Sequence, residues 1–199
     1  MDAEFLPCAR SPDGTLALRP MTVDDRDPLL RWRNLPQVAR HMYTEHEISA
    51  DEHAAWFERA LADLTRRYWI IVADGSDVGL ANLYDISMTH RRCSWAFYIG
   101  DADVRGKGIG TFVEYSVLSS VFDRLELNRL CCEVLAENEP VWRMHLKCGF
   151  MLEGKYRRHI RKGTSYHDVI ALAMLRDDWH GIKRMLMQKL VDRGLSLVA

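Results

Sequence analysis

Apolar positions along the chain switch between a spacing of two and a spacing of three to four, the periods of strand and helix. Residues 15–20 alternate and stop at Pro20, which predicts a first strand. Thr22, followed by Asp24 and Asp25, opens a helix through Asn34. Pro36 restarts a short helix ending near Tyr43. Ser49-Ala50-Asp51-Glu52 reads as a capping box before a helix carrying Trp56, Phe57 and Leu61. Residues 68–73 and 78–86 read as strands joined at the turn Asp74-Gly75-Ser76-Asp77, and 93–100 as a third. A helical run over 112–127 follows, then a buried-looking strand at 129–135 and a helix at 138–147 stopped by Gly149. Two more strands, 150–161 and 165–175, flank Lys162-Gly163-Thr164, and an amphipathic helix spans 177–191.

A three-strand meander followed by alternating helices and strands predicts an α/β fold. Its sheet is central, mixed and mostly antiparallel, with helices on its faces. The domain is drawn over residues 1–179 and a helical tail over 180–199. Ile182, Met185, Leu186 and Leu190 of that tail recur at helical spacing, so it packs either on the domain or on a second copy in a homodimer.

Composition narrows the classes of partner. The chain has 199 residues, 48% hydrophobic and 28% charged, enough to bury a sizeable core. Lys plus Arg (27) balances Asp plus Glu (28), so no nucleic acid is expected as partner. The Arg-dense stretch 156–162 reads as a solvated strand face. No run of about 18 apolar residues is present, so no membrane span is expected. The first 14 residues lack the basic-then-apolar order of a signal peptide, which predicts a cytoplasmic chain. Five cysteines without metal-ligand spacing predict a reduced protein holding no metal.

The candidate chemistry begins at Arg105-Gly106-Lys107-Gly108-Ile109-Gly110-Thr111, between a strand and a helix. Glycines at alternate positions let backbone N–H groups close around an anion, and the helix adds the positive end of its dipole. A phosphate or pyrophosphate is the expected ligand. The element order is not that of a dinucleotide-binding fold, and no ribose-binding acid follows at the required spacing.

These residues resemble the GNAT superfamily of N-acetyltransferases. Their acyl-CoA loop reads Gln or Arg, two residues, Gly, one residue, Gly or Ala, which Arg105 to Gly110 fits. The run from Asn138 to Phe150, ending Lys147-Cys148-Gly149-Phe150, resembles the second family element. The resemblance implies the GNAT fold, a sheet of about seven strands splayed at its centre, and acetyl-CoA as donor. Arg105, Gly106, Lys107, Gly108, Ile109, Gly110 and Thr111 would hold its pyrophosphate. The strand carrying Tyr98 and Ile99 would pair with the pantetheine arm, and Asn138 and Lys147 would complete the site. Asn138 also reads as a plain helix N-cap.

Acetyl transfer to an amine needs an unprotonated amine, a stabilised oxyanion and a protonated leaving thiolate. Glu133 lies within an apolar strand, where burial would raise its pKa and suit it to a general base. The alternative is a structural carboxylate paired with a neighbouring Arg. His145 stands where the resemblance places a Tyr acting as general acid, and an imidazolium can donate in its place. A backbone N–H near Tyr98 or Ile99 would take the oxyanion.

The acceptor is read from residues 31–56. Together with 92–100 and 153–169 they resemble the acetyltransferases of pseudaminic-acid biosynthesis, which implies a UDP-linked 4-amino-4,6-dideoxy sugar as small-molecule partner. Arg33 and His53 would serve the diphosphate, while Met42, Tyr43, Trp56, Trp95 and Tyr98 would wall the sugar. Met42 and Trp56 also fit ordinary core packing, and Arg33 a surface ion pair. Glu45, Glu47, Asp51 and Glu52 keep a polyamine open, and a protein N-terminus stands beside it as acceptor. A non-catalytic acyl-CoA-binding domain is the alternative of another class.

Overall fold

A computed structural model describes residues 11, 14–101, 104 and 108–195. Seven strands form one sheet in the order β1-β2-β3-β4-β5-β7-β6. They are β1 (Leu16–Pro20), β2 (Arg67–Ala73), β3 (Ser76–Ser87), β4 (Arg92–Ile99), β5 (Arg129–Leu135), β6 (Met151–Lys162) and β7 (Ser165–Leu175). Between β1 and β2 come α1 (Arg26–Asn34), α2 (Pro36–Ala39) and α3 (Ala50–Ala62). After β4 come α4 (Ile109–Ser119), α5 (Glu139–Lys147) between β5 and β6, and α6 (Arg176–Val191) at the end.

The turns explain the meander. Asp74 and Gly75 both hold positive φ (50° and 77°), which matches the twist of a tight β2–β3 hairpin. Every neighbouring pair is antiparallel except β4 and β5, which run parallel. Their pairing covers only Arg92↔Arg129, Cys93↔Leu130 and Ser94↔Cys131. Beyond Ser94 the two strands part, and the sheet is splayed at its centre as expected.

Helices cover both faces. On one, Leu29, Trp32, Phe57 and Ala60 pack over Tyr68, Ile70 and Leu80. On the other, Phe112, Val113, Leu118, Trp179 and Leu186 belong to the larger core. α4 is buried around most of its circumference, which its continuous apolar sequence requires. The helix expected through residue 127 ends as a π-helical turn at Ser120–Arg124, where Ser120 also bonds its hydroxyl to the Ser116 carbonyl. α6 runs unbroken across the division drawn at 179/180, and its Trp179, Leu186 and Leu190 lie in the larger core. Asp123 anchors it by accepting from Trp179 Nε1 at 3.0 Å and Lys183 Nζ at 2.8 Å.

Asp25 ties β1 to the first helices. It accepts Arg19 Nη2 at 2.6 Å and Nη1 at 2.9 Å, and the Thr22 N–H at 2.7 Å. Burial would raise its carboxyl, but the Arg19 and Thr22 bonds outweigh burial and hold it below the usual value. This contribution to stability is present above the unfolded carboxyl value and is lost as pH falls through the lower folded value. Asp25→Ala is expected to cost about 2–3 kcal/mol in urea unfolding at neutral pH, with the difference shrinking toward acid.

Candidate active site

The gap opened by the splay lies in a cavity of about 1540 Å³ running from the start of α4 to the loop after α2. Gly108, at φ 82°, is the left-handed residue that caps α4, a conformation only glycine adopts without strain. The N–H groups of the first turn have no partner within the helix, and Ile109, Gly110 and Thr111 border the cavity. A Cβ on Gly110 would stand 2.9 Å from Met144 Sδ, so glycine there lets α4 and α5 approach. Lys147 borders the same end. Arg105, Gly106 and Lys107 lie outside the described residues.

Strand alternation assigns the open N–H groups. The Gly100 N–H bonds Val78 O, and Tyr98 pairs with Leu80. Tyr98 therefore turns its backbone to β3, while Phe97 and Ile99 turn theirs to the gap. Of the two residues expected there, Ile99 supplies the free backbone and Tyr98 does not. Tyr98 instead sends its ring toward α1 and α3. Asn138 sits at the N-cap position of α5, yet its side chain makes no capping bond and borders the cavity. An αL glycine turn, free helix N–H groups and an unpaired strand edge fit a pyrophosphate with an extended amide-bearing arm.

Glu133 corrects the expectation of a buried carboxylate. On β5 it is exposed, flanked by buried Cys132 and Val134, and it faces the cavity. Arg129 is committed to Glu153 by paired hydrogen bonds. Glu133 accepts the Tyr43 hydroxyl at 3.0 Å. Burial, reinforced by Glu133, pushes the Tyr43 phenol up, and the same causes push Tyr84 up to about 12. Both phenols thus stay protonated beside the carboxylate.

His145 lies on α5 with only 2% of its surface exposed, bordering the cavity. Its Nδ1 stands 2.8 Å from Glu114 Oε1 of α4, and its ring meets Trp95 and Phe150, each with centroids 5.3 Å away. Trp95, expected as an acceptor wall, borders the cavity but is 1% exposed and stacks on Phe97 within the larger core. Core packing at the start of the splay claims it.

The acceptor end is built by α1, α3 and the loop after α2. Met42 and Trp56 are half-buried there, and the Trp56 edge meets Tyr68 at 5.8 Å. His53 is buried against Trp56, and among the described residues its Nε2 has no partner. Burial first, then Arg26 and Arg33, lower its pKa. Arg33 Nη2 donates to Thr44 Oγ1 at 3.5 Å while its buried Nη1 has no partner among the described residues, and burial lowers the guanidinium. The Tyr98 hydroxyl is likewise unpartnered, raised by burial and opposed by Arg33. Sequence reasoning missed Tyr84, Glu114, Lys189 and Arg193, all of which border the cavity or touch its lining. Lys189, on α6, and Arg193, in the turn after it, fall in the segment read only as a packing tail.

A split mixed sheet with a glycine-capped helix aimed into the split defines an acyl-CoA-dependent transferase. Residues 15–151 match the acetyltransferase (GNAT) domain family, and the chain belongs to that family. Its members take the acetyl group from acetyl-CoA. The spermidine N(1)-acetyltransferase of Escherichia coli (strain K12) is 25% identical over 165 residues, covering 83% of this chain and 88% of that protein. The prophage-derived N-acetyltransferase YokL of Bacillus subtilis (strain 168) is 28% identical over 145 residues, covering 72% and 81%. The crystal structure of a Vibrio cholerae spermidine N-acetyltransferase with CoA and spermine superposes with a TM-score of 0.77 at 23% identity. It covers 83% of this chain and 98% of that one.

Among the described residues no group of His, Cys, Asp and Glu is arranged to hold a metal ion. No described helix is long and apolar enough to cross a membrane.

Proposed function

We propose that the chain moves acetyl from acetyl-CoA directly to a small-molecule primary amine, with Glu133 as the base and His145 as the proton donor. The observation that carries this reading is the placement of both residues on one cavity, at the open end of the β4–β5 split. Glu133, oriented by Tyr43, would take the amine proton directly or through water. The amine lone pair then attacks the thioester carbon. The Ile99 N–H faces the gap in which the oxyanion would form. When the C–S bond breaks, His145 would protonate the sulfur.

Two acceptor readings have separate support. The cavity supports an amine that also carries an anion, such as the UDP-linked 4-amino-4,6-dideoxy sugar. Its support is the half-buried Arg33 guanidinium beside His53 and Tyr98, whose Nη1 has no hydrogen-bond partner among the described residues, since a desolvated cation suits a phosphate. The named relatives back a polyamine better than the sugar, because two of the similar proteins carry spermidine in their names. Glu52 and Asp85 on the cavity wall also suit a polycation.

Initial rates of thiol release with the UDP-amino sugar and with spermidine separate the two. Under the first reading Arg33→Ala raises KM for the sugar nucleotide by about 10–100-fold, as loss of a charged hydrogen bond does. It leaves spermidine a poor substrate. Spermidine turnover that Arg33→Ala improves would establish the polyamine instead.

A further inference from the structure

Glu114 is an anomaly. It sits on the most apolar helix of the protein, at 0% exposure, among residues that are otherwise core. A carboxylate there is costly unless a partner compensates it. The partner is His145 Nδ1 at 2.8 Å, and the Cys148 thiol also faces the carboxylate. The imidazole is boxed by Trp95, Phe97 and Phe150, so its ring cannot turn freely.

We propose that Glu114 is the positioning residue of the transfer. Through Nδ1 it fixes the orientation and protonation pattern of His145, so that Nε2 is the nitrogen that delivers a proton into the cavity. The proposal rests on His145 being the proton donor.

The argument follows from the two ring nitrogens. An ionised carboxylate only accepts, so on this proposal Nδ1 carries the hydrogen that faces Glu114. Nδ1 is then always the N–H side, and Nε2 alone gains or loses a proton. The carboxylate also offsets the positive charge of the doubly protonated ring. In the transfer step the C–S bond breaks and sulfur takes the Nε2 hydrogen. The N–H electron pair stays on Nε2, and the ring is left neutral with Nδ1–H still on Glu114. Solvent protons restore the cation.

Other groups face the pair. Cys132 of β5 and Cys148 at the end of α5 both feel Glu114, and burial first, then Glu114, keeps each thiol protonated. Lys189 and Arg193 from the end of α6 act on Cys148 in the opposite sense. β4 contributes the Trp95 and Phe97 rings. Neither thiol is ionised near neutral pH.

Two experiments test this. The first compares Glu114→Gln with the wild type in kcat against pH. The expected loss is about 10–100-fold, with the shape of the profile changed and acetyl-CoA affinity retained. In a His145→Phe background the same change should add nothing. A loss uniform across pH, or one that adds fully to that of His145→Phe, assigns Glu114 to structure alone and overturns the proposal.

The second needs neither an acceptor nor a folded variant. ¹⁵N spectra of histidine-labelled wild type should show neutral His145 protonated on Nδ1. The Nε2–H tautomer would overturn the proposal by itself. Failure of every amine to react would instead count against the proposed function while leaving this spectrum to decide Glu114.

Discussion

Glu133→Gln is expected to lower kcat by about 10²–10⁴-fold, the range that a positioned base contributes, with acetyl-CoA affinity unchanged. The side chain keeps its size and can still accept the Tyr43 hydroxyl, so the loss isolates the proton-accepting carboxylate. Glu133 pairs with Ala171 across β7, and its flanking neighbours Cys132 and Val134 hold the strand in place. That register points residue 133 into the cavity. Since Glu133 is exposed, the substitution strands no buried charge and should leave stability within about 0.5 kcal/mol. Thiol-release kinetics beside calorimetric titration of acetyl-CoA give both quantities. Wild-type turnover across the pH range would remove Glu133 from the reaction.

The second large effect is expected at the donor end. Gly108→Trp should abolish measurable acetyl-CoA binding. A side chain at φ 82° is strained by about 1–2 kcal/mol. Its Cβ would also stand 3.3 Å from Leu195 and 3.4 Å from Arg193, so the indole is driven toward the first-turn N–H groups of α4. Gly75→Trp separates strain from occlusion. Gly75 has φ 77° and nothing within 4 Å of an added Cβ. Both variants should lose comparable stability, but only Gly108→Trp should lose the donor. Calorimetric titration of both, with melting curves to confirm folding, checks this. Full acetyl-CoA affinity in folded Gly108→Trp would contradict the assignment of the turn.

Much of the scaffold is readable in the sequence because each element carries local signals. Ser49 caps α3 by accepting the Glu52 N–H, one half of the expected capping box, while the Glu52 carboxylate turns to His46 Nε2 at 2.8 Å. Asp74-Gly75 specifies a hairpin, and the strands at 129–135 and 165–175 appear with the bounds their apolar runs suggest. The GNAT fold is legible through two motifs, Arg105 to Gly110 and Asn138 to Phe150, that resemble those of the family.

What stayed illegible depends on distant contacts. Glu133 lies within an apolar run, yet the alternation of β5 exposes it, because the neighbouring strand has parted by that point. Trp95 and Tyr98 lie three positions apart on one strand, and so opposite faces claim them, the first for the core and the second for the acceptor end. Glu114 gives no local signal at all. Only the packing of α4 on α5 shows that His145 stands opposite it. The acceptor is the least legible part, since the loop from Met42 to Ile48 has no period to read.

One measurement tests the central claim most directly. Purified protein is incubated with acetyl-CoA, with and without the UDP-amino sugar, spermidine or an N-terminal peptide, while released thiol is followed and the acceptor is weighed by mass spectrometry. The account predicts thiol release that depends on an amine, matched one for one by an acceptor heavier by a single acetyl group and largely lost in Glu133→Gln. Saturable acetyl-CoA binding with no amine-dependent thiol release and no acetylated acceptor would contradict it and make the chain an acyl-CoA-binding domain instead.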